Sequence, residues 1–439
     1  MVTMLVVTAF VLLTPLSYTD NSAVAASSSK KDDTESTRGD NTSSSSSSST
    51  SSSSHNSASS CIRLDSNESV ITITCKNAVR LTDIDKQLKN SEVLQKETRG
   101  SRGAAADSAK VWSLDAGILI EKGSTLIIDS KDTKWLKIIA DGTAAHGIIV
   151  HGSLKIDSVK VTSWNPNTNN YATTENSKRV GLTTEIGNPR PYLRVEKDAT
   201  GTMNITNSEI AYLGYEGGFG AGRTGIRYAG GNNSRIQGND IHDLWFGFYS
   251  VGVDGIVIEN NHIHHNGFYG VDPHTGTHNM VIRNNTVHDN GSTAIICSLD
   301  CHNIIIEGNT VYNGKSGIAF TRNVRDSVAI NNHVHDMTRC ISVSASHNNE
   351  VHSNTVSNCD NGIYLLAGSS NNKIHDNTVR DSGKGILVNT NASDNTISAN
   401  TITNATEDGI SVDPTAGNNN VIESNNIIAR GNVGQHNGA

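Results

Sequence analysis

From about residue 203 onward one short pattern recurs along the chain. It is an Asn, any residue, then Ile or Val, a polar turn, and a Gly that opens an alternating apolar strand. The Asn positions are Asn239, Asn261, Asn285, Asn309, Asn332, Asn354, Asn377, Asn400 and Asn425, with spacings between 22 and 25 residues. A repeat of that length means a stack of small units, each burying its apolar side against the next. Leucine-rich repeats lack support because their Leu framework is missing. Ankyrin and TPR units do not fit, since the strands are β-branched and no helical period appears. WD40 blades are about twice as long. What fits is an all-β, right-handed parallel β-helix: a single-stranded solenoid of about 23 residues per coil, with the repeated Asn stacked at a turn and bonded from coil to coil.

The register follows from the strand after each Gly. One place on stand Val271, Ile295, Ile318, Ile341, Ile363, Ile386 and Ile410; three places on stand Pro273, Cys297, Phe320, Val343, Leu365, Val388 and Val412. Side chains alternate along a strand, so these two columns face the core. The second column (Tyr249, Asp272, Ile296, Ala319, Ser342) and the fourth (Val251, His274, Ser298, Thr321, Ser344) then face solvent. Coils stack about 4.8 Å apart, so those columns make a long shallow surface suited to an extended polymer.

Composition narrows the function classes. The 439 residues carry a net charge of −8, which disfavours nucleic-acid binding by bulk charge. No run of about 18 apolar residues spans a bilayer. Leu5 to Leu16 is a 12-residue, mostly apolar run, and Ala23-Val24-Ala25 fits a cleavage site, so residues 1–25 read as a secretory signal. Its n-region has no Lys or Arg, which leaves an uncleaved anchor as the alternative. Residues 26–60 include the nearly pure Ser run from Ser43 to Ser54 and read as a disordered tether. Residues 61–110 read as a cap, with a short helix within 79–99, and residues 111–430 as the β-helix. An exported chain allows a Cys61–Cys75 disulfide across a hairpin; Cys297, Cys301, Cys340 and Cys359 read as buried thiols.

One coil departs from the repeat: Tyr269-Gly270-Val271-Asp272-Pro273-His274. Pro removes a ladder donor and is unwelcome in a central strand. Here it separates two titratable residues that alternation points the same way, about 7 Å apart. A carboxylate that close can orient an imidazole and stabilise its protonated form.

Tyr-Gly-Val-Asp-Pro-His resembles the YG-[FIL]-DPH signature of the mannuronan (alginate) C-5-epimerases. Asp243-Leu-Trp-Phe-Gly-Phe-Tyr249 and Gly317-Ile-Ala-Phe-Thr-Arg-Asn323 are similar to coils on either side of it, in the periplasmic branch. The calcium-binding nonapeptides of the secreted branch are absent, so calcium has no motif and no cofactor is expected. The resemblance implies removal of the C5 proton of a mannuronate unit and its return to the opposite face. On that reading His274 is the base, Asp272 supports the site, and Tyr269 exchanges a proton. Two positions depart from the family pattern. Thr275 replaces an acidic residue, and Leu299 stands where the carboxylate-neutralising Arg lies. Arg322, one coil on in the same column, can reach the groove, and Arg227, two coils before Asp272, can contribute. Tyr249, Thr275 and Ser298 complete the substrate-binding set.

The expected partner is an acidic polysaccharide, met outside the cytoplasm by a monomer that touches membrane only through an uncleaved anchor. A uronate lyase shares the first step and expels the 4-O leaving group instead. A non-catalytic carbohydrate-binding or cell-surface β-helix would present the same groove. Copper-loading proteins of the NosD type share the repeat, so metal delivery is a further alternative. The histidines that invite it, including His262, His264, His265, His278 and His288, read as turn residues with no compact ligand spacing, and no metal site is expected.

Overall fold

The computed structural model describes residues 60–97, 110–142, 144–173, 189–218, 220 and 222–428. The expected signal and Ser-rich tether lie outside them. The described chain is nearly all β, a right-handed β-solenoid of about 12 turns. A typical coil uses three short strands, such as Val257–Glu259, His262–His264 and Val271–His274. Each pairs in parallel with its counterpart one coil later: Ile258 with Ile282, Ile263 with Val287, Val271 with Ile295. The strands join into sheets of 25 and 13 members.

The inward columns are those the alternation predicts. Val271, Ile295, Ile318, Ile341, Ile363 and Ile386 are fully buried, as are Cys297, Phe320, Val343, Leu365 and Val388. Burial ends in the last turns, where Val412, Val421, Ile422, Ile427 and Ile428 are exposed. The early coils are strands too, among them Gly117–Ile120, Thr125–Asp129 and Gly147–Val150.

The Asn column forms a continuous ladder. The Asn239 amide donates to Asn261 Oδ1 at 2.9 Å, Asn261 to Asn285 at 2.9 Å, and Asn285 to Asn309 at 3.0 Å. The chain of amides runs on through Asn332, Asn354, Asn377 and Asn400 to Asn425. Each Oδ1 also accepts a backbone N–H of the previous coil, as Asn332 does from Asn309. Each amide also donates to a backbone carbonyl, as Asn332 does to Ile306. A tight turn places the ladder residue. The residue before it has a left-handed backbone: Asn260, Asn284, Gly308, Asn331, Ser353 and Asp376 have φ between 54° and 64°. Gly and Asn tolerate that region best, hence the recurring Asn-Asn and Gly-Asn pairs. A second ladder, Asn349–Asn372–Asn395–Asn420, runs along another turn.

The Gly that opens each strand serves close approach. A Cβ on Gly270, Gly317 or Gly385 would stand within 2.4–2.5 Å of a carbonyl oxygen of the next coil.

The cap holds a helix, Leu81–Leu88, that buries Leu81 and Ile84. It sits with the antiparallel hairpin Ile62–Asp65/Val70–Ile73, which the Cys61–Cys75 disulfide closes. The cysteine expectation needs one correction. Cys340 and Cys359 form a second disulfide, and Cys297 and Cys301 are the buried thiols. Coil stacking brings the Cα atoms of this second pair within 6.0 Å, a proximity that spacing along the chain does not reveal.

Asn332→Ala should cost about 2–6 kcal/mol, because Asn309 loses the acceptor for two buried donors and each such donor costs about 1–3 kcal/mol. Denaturant unfolding of the variant against wild type checks this.

Candidate functional site

The irregular strand Val271–His274 sits between Phe246–Val251 and Thr293–Ser298. Tyr249 is level with Asp272 on one side, and Ser298 with His274 on the other. Pairing with the following strand occurs only at Val271–Ile295 and His274–Ser298. Pro273, without an N–H, breaks the ladder between those two points.

Asp272 lies on the outward column yet is only 1% exposed, so its expected place in solvent is corrected. Its neighbours Tyr249, Ile296 and Ala319 are likewise buried. Aromatic rings cluster on the strand before Val271–His274 and at its start. Phe246 stacks on Tyr269 at 5.3 Å and lies 5.4 Å from Tyr249; Phe268 packs on Tyr269 at 4.2 Å and on Trp245 at 5.6 Å.

Desolvation sets the charge states. Burial pushes the Asp272 carboxyl well above the ordinary carboxylate range, against the pull of the nearby Arg322 guanidinium. Asp272 Oδ1 is buried with no hydrogen-bond partner. Burial, helped by Arg322, lowers the His274 pKa to about 4. Burial, with Asp272 adding to it, raises the Tyr269 phenol to about 12. At neutral pH the site thus holds a neutral imidazole, a protonated phenol and a cation.

Arg322 crosses the gap that Leu299 leaves. Its turn has φ of 60°, and its guanidinium donates to the Ser298 hydroxyl at 3.1 Å, one coil back. That brings the cation within electrostatic reach of Tyr269, Asp272 and His274. Thr275 takes over another expected role. Its hydroxyl is 2.5 Å from His274 Nδ1, so Thr275, not Asp272, orients the imidazole. The Tyr249 ring lies 5.5 Å from that of His274.

Arg227 stands beside Tyr249, with its guanidinium carbon 6.0 Å from the ring centroid. It belongs to a cationic track that sequence reasoning missed beyond Arg227 itself. Arg194 is level with Arg227 one coil earlier, and Arg223 lies 5.6 Å from the Tyr192 ring. Nε of Arg223 and of Arg227 is buried without a partner. Tyr192 and Arg223 line a cleft that continues to Asp115 and His146. The succession of Arg194, Arg227, Tyr249 and Asp272 in one column was the available signal.

The histidine expectation is corrected. His262, His264 and His288 lie on strands, not turns. A side-chain oxygen of Asp240 and ring nitrogens of His262 and His264 lie within 4.8 Å of one another. Stacking of successive coils makes the cluster.

The chain is similar to mannuronan C5-epimerases. That of Pseudomonas putida is 28% identical over 170 residues, 37% of this chain and 30% of the relative. That of Pseudomonas aeruginosa is 27% identical over 37% of this chain and 29% of the relative. The match thus spans about a third of each curated relative's length. The crystal structure of the periplasmic alginate epimerase AlgG shares the fold: TM-score 0.65, 22% identity, 82% of this chain and 85% of that one. The family profile described as right handed beta helix region matches residues 293–427. The profile described as periplasmic copper-binding protein (NosD) matches residues 194–337.

The two perturbed acids give opposite pH signatures. His274 has a folded pKa near 4 against an ordinary 6.5, so the unfolded chain takes the proton first and stability falls as pH drops from about 6.5 to 4. Asp272 is raised above 3.8, so stability is lost as pH rises toward its folded pKa. Asp272→Asn should raise the unfolding midpoint at neutral pH and leave it nearly unchanged below pH 3.8. Thermal unfolding across pH checks both.

Proposed function

We propose that the chain is a C-5-epimerase of uronate units in an acidic polysaccharide, turning mannuronate into guluronate. The observation that carries this reading is the convergence of a neutral His274, a protonated Tyr269 and the Arg322 cation on one buried stretch of groove. The similarity to mannuronan C5-epimerases supports it.

Abstracting a proton next to a carboxylate needs a base, a cation for the carboxylate, and an acid on the far face. Thr275 holds His274 by Nδ1, which leaves Nε2 to take the C5 proton. The C–H electron pair moves into the carboxylate, giving an enediolate that Arg322 neutralises. Tyr269 returns a proton to the opposite face of C5. The resulting imidazolium and phenolate then exchange a proton, directly or through water, and the site is reset. Burial disfavours the charged form of the Asp272 carboxyl, which limits negative charge beside the enediolate. Arg227 and Arg223 bind the carboxylates of neighbouring units, since coil spacing of about 4.8 Å suits an extended polymer.

We place this activity outside the cytoplasm. Two disulfides suit an oxidising compartment, and the structural relative is periplasmic by its title.

The test is proton NMR of polymannuronate incubated with the protein in deuterium oxide. Guluronate signals with deuterium at C5 are expected. An unsaturated product absorbing in the ultraviolet would mark a lyase, and an unchanged polymer that is nonetheless retained would mark a binding protein.

His274→Ala should lose at least about 100-fold in turnover, the scale of a positioned general base, and keep its fold. Arg322→Ala should lose nearly as much, because transition-state charge then goes unneutralised. Leu299→Arg should be tolerated or activating. Rates on polymannuronate decide all three, and a wild-type rate for Arg322→Ala would remove it from the mechanism.

A further inference from the structure

A second cluster lies on a different strand of each coil from Asp272 and His274. Asp240, His262 and Thr286 form one outward column, and His242, His264 and His288 the adjoining one. Between them Ile241, Ile263 and Val287 point inward and are fully buried. The ionisable side chains are thus held by a rigid sheet.

Asp240 Oδ1 is 3.0 Å from His264 Nε2 and 3.2 Å from His262 Nδ1. A tetrahedral ion with bonds of 2.0–2.1 Å has ligand atoms roughly 3.3 Å apart. Two edges of such a site are therefore in place before any ion arrives. The Asp240 and His262 side chains are about half exposed, and His264 less so. The cluster is open on one side, leaving room for a further ligand.

The surrounding groups fit the same assignment. A metal-bound imidazole donates its other N–H to a neighbour, which fixes its tautomer. His262 Nε2 meets His288 Nε2 at 2.7 Å, and His264 Nδ1 meets His265 Nδ1 at 2.7 Å. His288 Nδ1 in turn meets Asp289 at 2.6 Å. With an ion on His262 Nδ1 and His264 Nε2, both outer nitrogens keep their protons and donate them. His288 then accepts on Nε2 and donates from Nδ1 to Asp289.

We propose that Asp240, His262 and His264 form a binding site for a borderline divalent transition metal, zinc or copper(II), with His288 and His265 as its outer-shell partners. Two imidazoles and one carboxylate suit these ions; calcium and magnesium prefer all-oxygen sites. The proposal is independent of the epimerase reading, since none of these residues belongs to the Asp272 groove.

The experiment uses the chain without a polyhistidine tag, stripped of metal and titrated with zinc and with copper(II) against a competing chelator. One equivalent is expected to bind. His262→Ala, His264→Ala and Asp240→Asn should each weaken it by more than the roughly 10–100-fold typical of losing an outer-shell partner. His288→Ala should weaken it within that range. His352→Ala, on another coil, should leave it unchanged. X-ray absorption at the metal edge of the loaded wild type should show two imidazole nitrogens, which keeps the proposal testable if a variant misfolds. Binding no tighter in wild type than in a His262→Ala/His264→Ala double variant would overturn it, as would an edge spectrum without imidazole.

Discussion

The stack of Asn side chains is the interaction on which the rest of this structure depends. A β-helix turn must leave one strand and enter the next within a residue or two, and the backbone polar groups it turns inward are cut off from water. The Asn amide offers two donors and an acceptor with two lone pairs, and the ladder uses them between coils. The repeated left-handed residue before each ladder Asn is the backbone cost of that turn, met by Asn or Gly up to Asn331 and by Ser353, Asp376, Ala399 and Ser424 in the later coils. Because the ladder fixes register along the solenoid axis, it also fixes which side chains share a column. The candidate site and the histidine array both follow from that register.

Against this regular frame, the Val271–His274 coil is a local exception. A buried carboxyl without a partner for one oxygen, a Pro in a central strand and an imidazole driven toward neutrality all work against folding. A solenoid tolerates such an exception because each coil contacts only its neighbours, and regular coils on both sides hold the irregular one in place. The result is a low-dielectric stretch of an otherwise open groove, where a single guanidinium has a stronger effect than it would in water. Arg322 reaches that stretch from a neighbouring coil. A cationic function can therefore move by one coil, because adjacent coils are closer together than an Arg side chain is long.

The chain alone determined the architecture. A 22–25-residue spacing of Asn, with β-branched strands and Gly between, has few ways to bury its apolar face, and alternation named the inward columns residue by residue. It also named His274, Asp272 and Tyr269, because the departure from the repeat is visible as a string of letters, and it pointed to Arg322 only through the family resemblance. Tertiary structure decided what those residues experience. Alternation gives direction but not cover, so nothing in the sequence showed that Asp272 is buried. Sequence proximity suggested that Asp272 orients His274, whereas the Thr275 hydroxyl next door is the group in reach of Nδ1. The Cys340–Cys359 bond and the Asp240–His262–His264 cluster join residues from stacked strands. Their distances are set by coil stacking, which a linear spacing encodes only once the exact register of every turn is known.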